Sequence, residues 1–376
     1  MAMKKILFSI TLLLASLSSM AQFSVSKGKD NFQISLRSCT FYNNRLYVPE
    51  AIDLKKDRIR LRDMQAEFKA RFSNQWKVVL QIDFADFASG SIEDEDNGLM
   101  EAHVTYMTPG NGPEFQFGFD KVPYSRSSLS SLYSTPFFSR AEVVSGDFFA
   151  RRDVGVLVTQ GLKNDRIMLY GGAYTGMGEA SLRGDNDASG TLEYVGRVEL
   201  SYPSKFRHSD IDDKISQRPM ISIGANARYT EKKTDTGIDY FIKTINGSKS
   251  VIGFDIAFQY KGLSFLYELH RAHMLPNDTL RLLNSGGNDI NAGGYLAQLV
   301  YKYRPWHSVW GIRYDEINPN DLILNDINRS VTYSYRYTIP SSNTSLMFNY
   351  MSRLPIGDSG VKWKRDDIRI GIQTSF

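Results

Sequence analysis

With Cys39 as its single cysteine, the 376-residue chain cannot form an internal disulfide. After residue 21 it lacks any run of about 18 uncharged apolar residues, which excludes a helical membrane span. An excess of one charge is missing too, since 45 Lys and Arg stand against 41 Asp and Glu, and nothing in that balance favours a nucleic-acid partner. Histidine is scarce. His103, His208, His270, His273 and His307 show no zinc spacing, and the nearest pair, His270 and His273, would face opposite sides of a strand. No Gly-x-Ser-x-Gly elbow of an esterase occurs. A plug of domain size, as a gated receptor would need, has no room, because strand-like sequence begins soon after Gln22. Neither a cofactor nor a resident metal is expected.

The chain opens with Lys4 and Lys5, an apolar run from Ile6 to Leu17 and then Ser19-Met20-Ala21. This is the three-part pattern of a cleaved secretory signal, so residues 1–21 are assigned to it and 22–376 to one exported domain. Without Lys4 and Lys5 the 45 basic residues fall to 43 against 41 acidic ones, a formal +2. Hydrophobic content of 42% and a mean hydropathy of −0.32 suit an ordinary soluble domain. The 21 Tyr and 22 Phe do not. In an exported chain of alternating segments, such an excess is what aromatic girdles at both faces of a membrane barrel require.

Strand-like segments fall at 32–40, 58–72, 76–87, 100–107, 114–120, 153–161, 166–174, 192–202, 219–230, 250–260, 263–273, 293–303, 308–316, 330–338, 344–353 and 366–376. That is an even number, sixteen, as bacterial barrels have. Long connections, such as Phe41 to Asp57 and Lys121 to Arg152, alternate with short ones such as Ser73-Asn74-Gln75 and Lys261-Gly262. The exception is Pro203 to Arg218, which should be a short inner turn and is long and charged; either a strand is misplaced there or the turn is elaborated. In the last segment Ile368, Ile370, Ile372, Thr374 and Phe376 share one side, and Asp367, Arg369, Gly371, Gln373 and Ser375 the other. Apolar-out, polar-in alternation in a closed ring satisfies every backbone group in lipid. The expected fold is all-β: a transmembrane antiparallel barrel of about 16 strands with an aqueous lumen, its long third outer loop folded into that lumen. Phe376 is similar to the terminal aromatic by which barrel-assembly machinery recognises its clients, and outer-membrane lipid is the expected surround.

The third outer connection lies within Gly118-Phe119-Asp120-Lys121-Val122-Pro123-Tyr124-Ser125-Arg126-Ser127-Ser128-Leu129 through Arg151-Arg152-Asp153-Val154-Gly155-Val156-Leu157. Long connections in compact domains are usually functional or disordered. With Leu132, Tyr133, Phe137, Phe138, Val143 and Val144 this one is too apolar for a linker, so it should pack against something. These two strings resemble the phosphate-selective porin O and P family of outer-membrane channels. The likeness extends to the strand around Arg58 to Phe87, the Gly293-Gly294-Tyr295 strand and the final strand. The resemblance implies a passive channel for small hydrophilic solutes, with anions such as phosphate or polyphosphate as the solute and a homotrimer as the assembly.

Rings of Arg or Lys suit an anion pore, and guanidinium forks bind phosphate oxygens in pairs. Lys121, Arg126, Arg140, Arg151 and Arg152 are therefore candidates for a constriction. Arg71, Arg228, Arg313 and Arg336 are candidates for the lumen wall, as are Arg37, Lys69, Arg197, Lys302, Arg353 and Arg369. Arg62 joins them with its direction open, because Asp63 and Met64 break the phase of their strand and point to a bulge. The competing reading is a lumen neutralised by inward acids such as Asp83, Glu101, Glu193, Glu199, Glu268 and Asp315, hence a general pore. A non-conducting structural barrel and an outer-membrane hydrolase remain as further alternatives. The acidic run 93–98 reads as a solvated outer loop rather than a calcium site. Terminal sequencing of the exported chain is expected to begin at Gln22; a mature chain that retains residues 1–21 would remove the signal assignment.

Overall fold

A computed structural model describes residues 23–45, 58–88, 98–145, 150–178, 182, 190–232, 246–277, 289–322, 327–354 and 366–375. The signal segment, the acidic run at 93–97 and Phe376 lie outside the described residues. The strands are β1 (Phe23–Lys27), β2 (Asp30–Arg45), β3 (Arg58–Phe72), β4 (Trp76–Asp83), β5 (Leu99–Met107), β6 (Glu114–Lys121), β7 (Arg152–Leu162), β8 (Ile167–Tyr174) and β9 (Glu193–Tyr202). They continue as β10 (Met220–Lys232), β11 (Gly247–Tyr260), β12 (Leu263–Pro276), β13 (Ile290–Tyr303), β14 (Ser308–Asn318), β15 (Asn328–Thr338), β16 (Thr344–Arg353) and β17 (Asp367–Ser375). From β2 to β17 each strand pairs antiparallel with the next, and β17 returns to β2 through pairs from Asp367↔Arg45 to Ser375↔Arg37. The result is a closed ring of sixteen strands. The remaining strand, β1, is an unforeseen arm that folds back on the start of β2 (Phe23↔Ile34 to Lys27↔Asp30), just past the last residue that β17 covers.

Alternation sorts the side chains as the ring needs. On β11, Ile252 and Phe254 are exposed on the outer surface while Val251, Asp255 and Gln259 are buried inside. Outward aromatics gather at two levels. Tyr267, Tyr295 and Tyr314 run across neighbouring strands with ring centroids 6.2 and 5.6 Å apart, and Tyr333 stacks on Tyr350 at 6.3 Å. Beside the short connections, Trp76 meets Tyr106 at 4.9 Å and Trp310 meets Tyr335 at 4.6 Å. Amphipathic rings at two levels with aliphatic residues between them make the outer surface of a bilayer-spanning barrel.

Two local departures have identifiable causes. The 76–87 segment is a strand only to Asp83, after which Phe84–Ala88 forms a short helix, α1. The Asp83 carboxylate accepts from the Ala85 amide at 3.0 Å and from the Met64 amide at 2.9 Å, so the side chain replaces the ladder and caps the turn. On β3 the register against β2 shifts between Cys39↔Asp63 and Thr40↔Leu61, leaving Arg62 as the extra residue of a bulge. That bulge sends both Arg62 and Asp63 into the lumen. Mid-strand Phe254 faces outward, so Phe254→Arg is expected to cost about 2–4 kcal/mol in a folding titration into bilayers; a cost near zero would contradict its placement toward lipid.

Candidate functional site

Between β6 and β7 the chain leaves the wall. Its described part hydrogen-bonds to side chains on β3, β10, β11, β12, β14, β15, β16 and β17, a set reachable only from within the ring. Ser125 starts a one-turn helix, α2 (Arg126–Leu129), its Oγ accepting from the Ser128 amide at 3.1 Å. The same hydroxyl donates to Glu268 Oε2 at 2.6 Å, and Ser127 donates to Glu268 Oε1 through its amide (2.6 Å) and its hydroxyl (2.7 Å). One buried carboxylate thus holds both serines that flank Arg126. His270 Nε2 lies 3.2 Å from Glu268, and Tyr124 packs on the His270 ring at 4.9 Å.

Arg126 enters a closed set of charges. Its Nε donates to Asp255 Oδ1 at 2.8 Å and its Nη2 to Ser222 Oγ at 2.6 Å, with Glu199 at 3.5 Å. Arg197 shares both acids, reaching Asp255 and Glu199 at 2.6 Å each, and His208 Nε2 approaches Glu199 at 2.8 Å. A Cβ on Gly224 would come within 2.5 Å of both Arg197 Nη2 and Asp255 Oδ2, so glycine leaves the space for this quartet. Two guanidinium groups and two carboxylates, all buried, offset their lost hydration only while every member keeps its partners.

Four other arginines grip the inserted segment by its backbone. Arg62 donates to the Phe138 carbonyl at 3.3 Å, Arg228 to Ala150 at 3.0 Å, Arg313 to Ser139 at 2.9 Å and Arg336 to Tyr133 at 3.0 Å. The Tyr133 ring lies between Arg37 and Arg62, and its hydroxyl donates to Asp63. Arg140 lies within the segment, donating to the Ser127 and Ser130 carbonyls; burial, with Arg152 nearby, pushes its guanidinium down to about 10. Lys121 meets Glu101 at 2.9 Å with Arg152 4.0 Å from the same oxygen, and Arg151 is half-buried close by.

Arg71 differs. On β3 it stands directly opposite Lys77 of β4, and neither has an ion-pair partner among the described residues. Like charges in opposed positions are unfavourable. Just above them Lys69 (2.8 Å) and Arg37 (3.0 Å) share the single carboxylate of Glu67. Of these four cations on three adjacent strands, two divide one carboxylate and two are left without an ion-pair partner among the described residues.

Two placements were not legible in the chain. Glu101, His103 and Asp120 bring three donor atoms within 4.8 Å of one another; spacing alone hid this because Asp120 belongs to the neighbouring strand. Lys121 already occupies Glu101, so these three are a poor cation cradle. The acceptors that hold the inserted segment together are mostly backbone carbonyls, for which no residue type gives a signal.

A family model described as phosphate-selective porin O and P matches residues 32–309. The fold is similar to that of the outer-membrane channel DcaP of Acinetobacter baumannii, with 14% identity, 95% of this chain and 100% of that chain covered and a TM-score of 0.61. It is similar as well to an anion-selective porin from Comamonas acidovorans (12%, 92% and 100%, TM-score 0.58) and to a trimer form of OmpT from Vibrio cholerae (10%, 93% and 100%, TM-score 0.57). No curated protein matches the chain in sequence. Asp255→Ala removes the acid between Arg126 and Arg197 and is expected to lower unfolding stability by about 3–5 kcal/mol, the usual cost of an orphaned buried charge; an unchanged denaturant midpoint would show that the quartet does not stabilise the fold.

Proposed function

Because the chain belongs to the phosphate-selective porin O and P family, we propose that this outer-membrane channel passes small hydrophilic solutes with a preference for anions of the phosphate or polyphosphate type. Family and fold support the channel. The observation that best supports the anion preference is the wall of β2–β4, where Arg37 and Lys69 divide Glu67 and Arg71 and Lys77 have no ion-pair partner among the described residues. A lumen whose positive charge exceeds its local acids draws anions and rejects cations.

Lys121, Arg126, Arg140, Arg151 and Arg152 form the basic side of the constriction in this reading. Arg126 and Arg140 act mainly by holding the inserted segment in shape, since their donors are taken by Asp255, Ser222 and the Ser127 and Ser130 carbonyls. The export signal at residues 1–21, recognition of Phe376 by the barrel-assembly machinery and a homotrimeric state complete the proposal; a trimer form of the similar OmpT supports the last. A hydrolase has less to support it, because His270 is fully buried against Glu268 and Tyr124.

Planar-bilayer recordings of the refolded mature chain in a potassium chloride gradient are expected to give a reversal potential of anionic sign, with chloride current reduced by millimolar phosphate. Cationic or absent preference would leave a general pore. Replacing Arg126 and Arg140 together by Ala is expected to lower the anion/cation permeability ratio, and an unchanged ratio would take selectivity away from them.

A further inference from the structure

The connection between β9 and β10 lies at the end of the barrel where the other connections are short, yet it is long and does not hang free. It turns up into the ring. Phe206 is buried with Ala141, Val143 and Val144 of the inserted segment and with Ala257, Leu266 and Leu296 of the wall. Ile211 is buried with Phe137 of the segment and with Val300 and Val309. The Asp210 amide donates to the Ser134 carbonyl at 3.2 Å, so the two inserted pieces also meet backbone to backbone. The turn is tied to the wall by Gln259 Nε2 to the Ser209 carbonyl at 2.9 Å, by His208 to Glu199 at 2.8 Å and by the Gly262 amide to Asp212 at 2.9 Å.

A second observation explains why these contacts exist. Leu266, Leu296, Val300 and Val309 occupy inward positions of β12–β14, where a water-filled barrel carries polar residues. All four are buried. They are an apolar floor on which both inserted pieces rest, and that sector of the lumen is closed. On β3–β4, by contrast, the inward positions are polar: Gln65, Glu67, Gln81 and Asp83 are buried, and Arg71 and Lys77, next to the short turn, are less covered.

We propose that the 203–219 turn is a second pore-narrowing element. It braces the 122–145 segment from the inner side and fills the lumen over the apolar patch of β12–β14, so it helps to set both bore and ion preference. Phe206, Ile211 and Asp210 are its positioning residues. The inference rests on the channel reading.

The test compares full-length mature wild type with two variants, after each is shown to fold by heat-modifiable electrophoresis. In the first, residues 204–219 are replaced by an Asn-Gly turn, which a two-residue hairpin accepts; in the second, Phe206→Asn and Ile211→Asn undock the turn at full length. Both variants are expected to raise unitary conductance about two-fold and to bring the anion/cation permeability ratio nearer to one, because a wider passage weakens the field of the charges that line it. Wild-type conductance and ratio in a folded variant would overturn the brace while leaving the channel intact. Failure of wild type itself to conduct would overturn both readings.

Discussion

In a bilayer no water is at hand for a free backbone amide or carbonyl, and each one left unpaired costs several kcal/mol. The pairing of β17 with β2 meets that constraint by removing both edges of the sheet. Everything else in the molecule follows from the closure. Once the ring is shut, alternate side chains have no choice but lipid or lumen, which is why Phe254 and Asp255, adjacent in sequence, live in opposite environments. Closure also creates an interior too wide for wall side chains to fill, and the chain supplies two connections of its own to occupy part of it.

Those two pieces are held by different physics. The outer one, residues 122–145, carries few charges and is gripped through its carbonyls by arginines rooted in the wall, with a carboxylate, Glu268, fixing the serines around Arg126. The inner one rests mainly on apolar contacts through Phe206 and Ile211. The consequence for ion passage is uneven. Where the pieces dock, basic groups are matched by acids or spent on the backbone; along β2–β4, Arg37 and Lys69 divide one carboxylate, and Arg71 and Lys77 have no ion-pair partner among the described residues. Charge balance over the chain as a whole conceals an imbalance along one wall, and a permeating ion responds to the wall.

Much of the architecture was legible because the repeat of two in a strand is rigid and lipid tolerates no exceptions. The final strand, the β3 range and the Asp63 bulge were all readable from alternation and its interruption. The helix after Asp83 was not, since Phe84 continued the alternating pattern and only the Asp83 carboxylate, folded back on the Ala85 amide, ends the strand. The arm β1 escaped notice because it pairs along a stretch of β2 that β17 does not reach. In the lumen, the inward direction of Arg228, Arg313 and Arg336 followed from phase, whereas their engagement with Ala150, Ser139 and Tyr133 carbonyls did not.

The sequence by itself determined the strand count of the ring, the rhythm of long and short connections and which side of each strand is apolar, because these depend on neighbours one or two residues apart. Tertiary structure alone decided which charges are satisfied and which are left open. Asp255 meets Arg126 across 129 residues and Glu268 meets Ser125 across 143, and no local rule reaches that far. The 203–219 connection shows the division most clearly: its length was plain from the chain, but its place inside the barrel depends on an apolar patch assembled from β12, β13 and β14, a surface that exists only after those strands have paired.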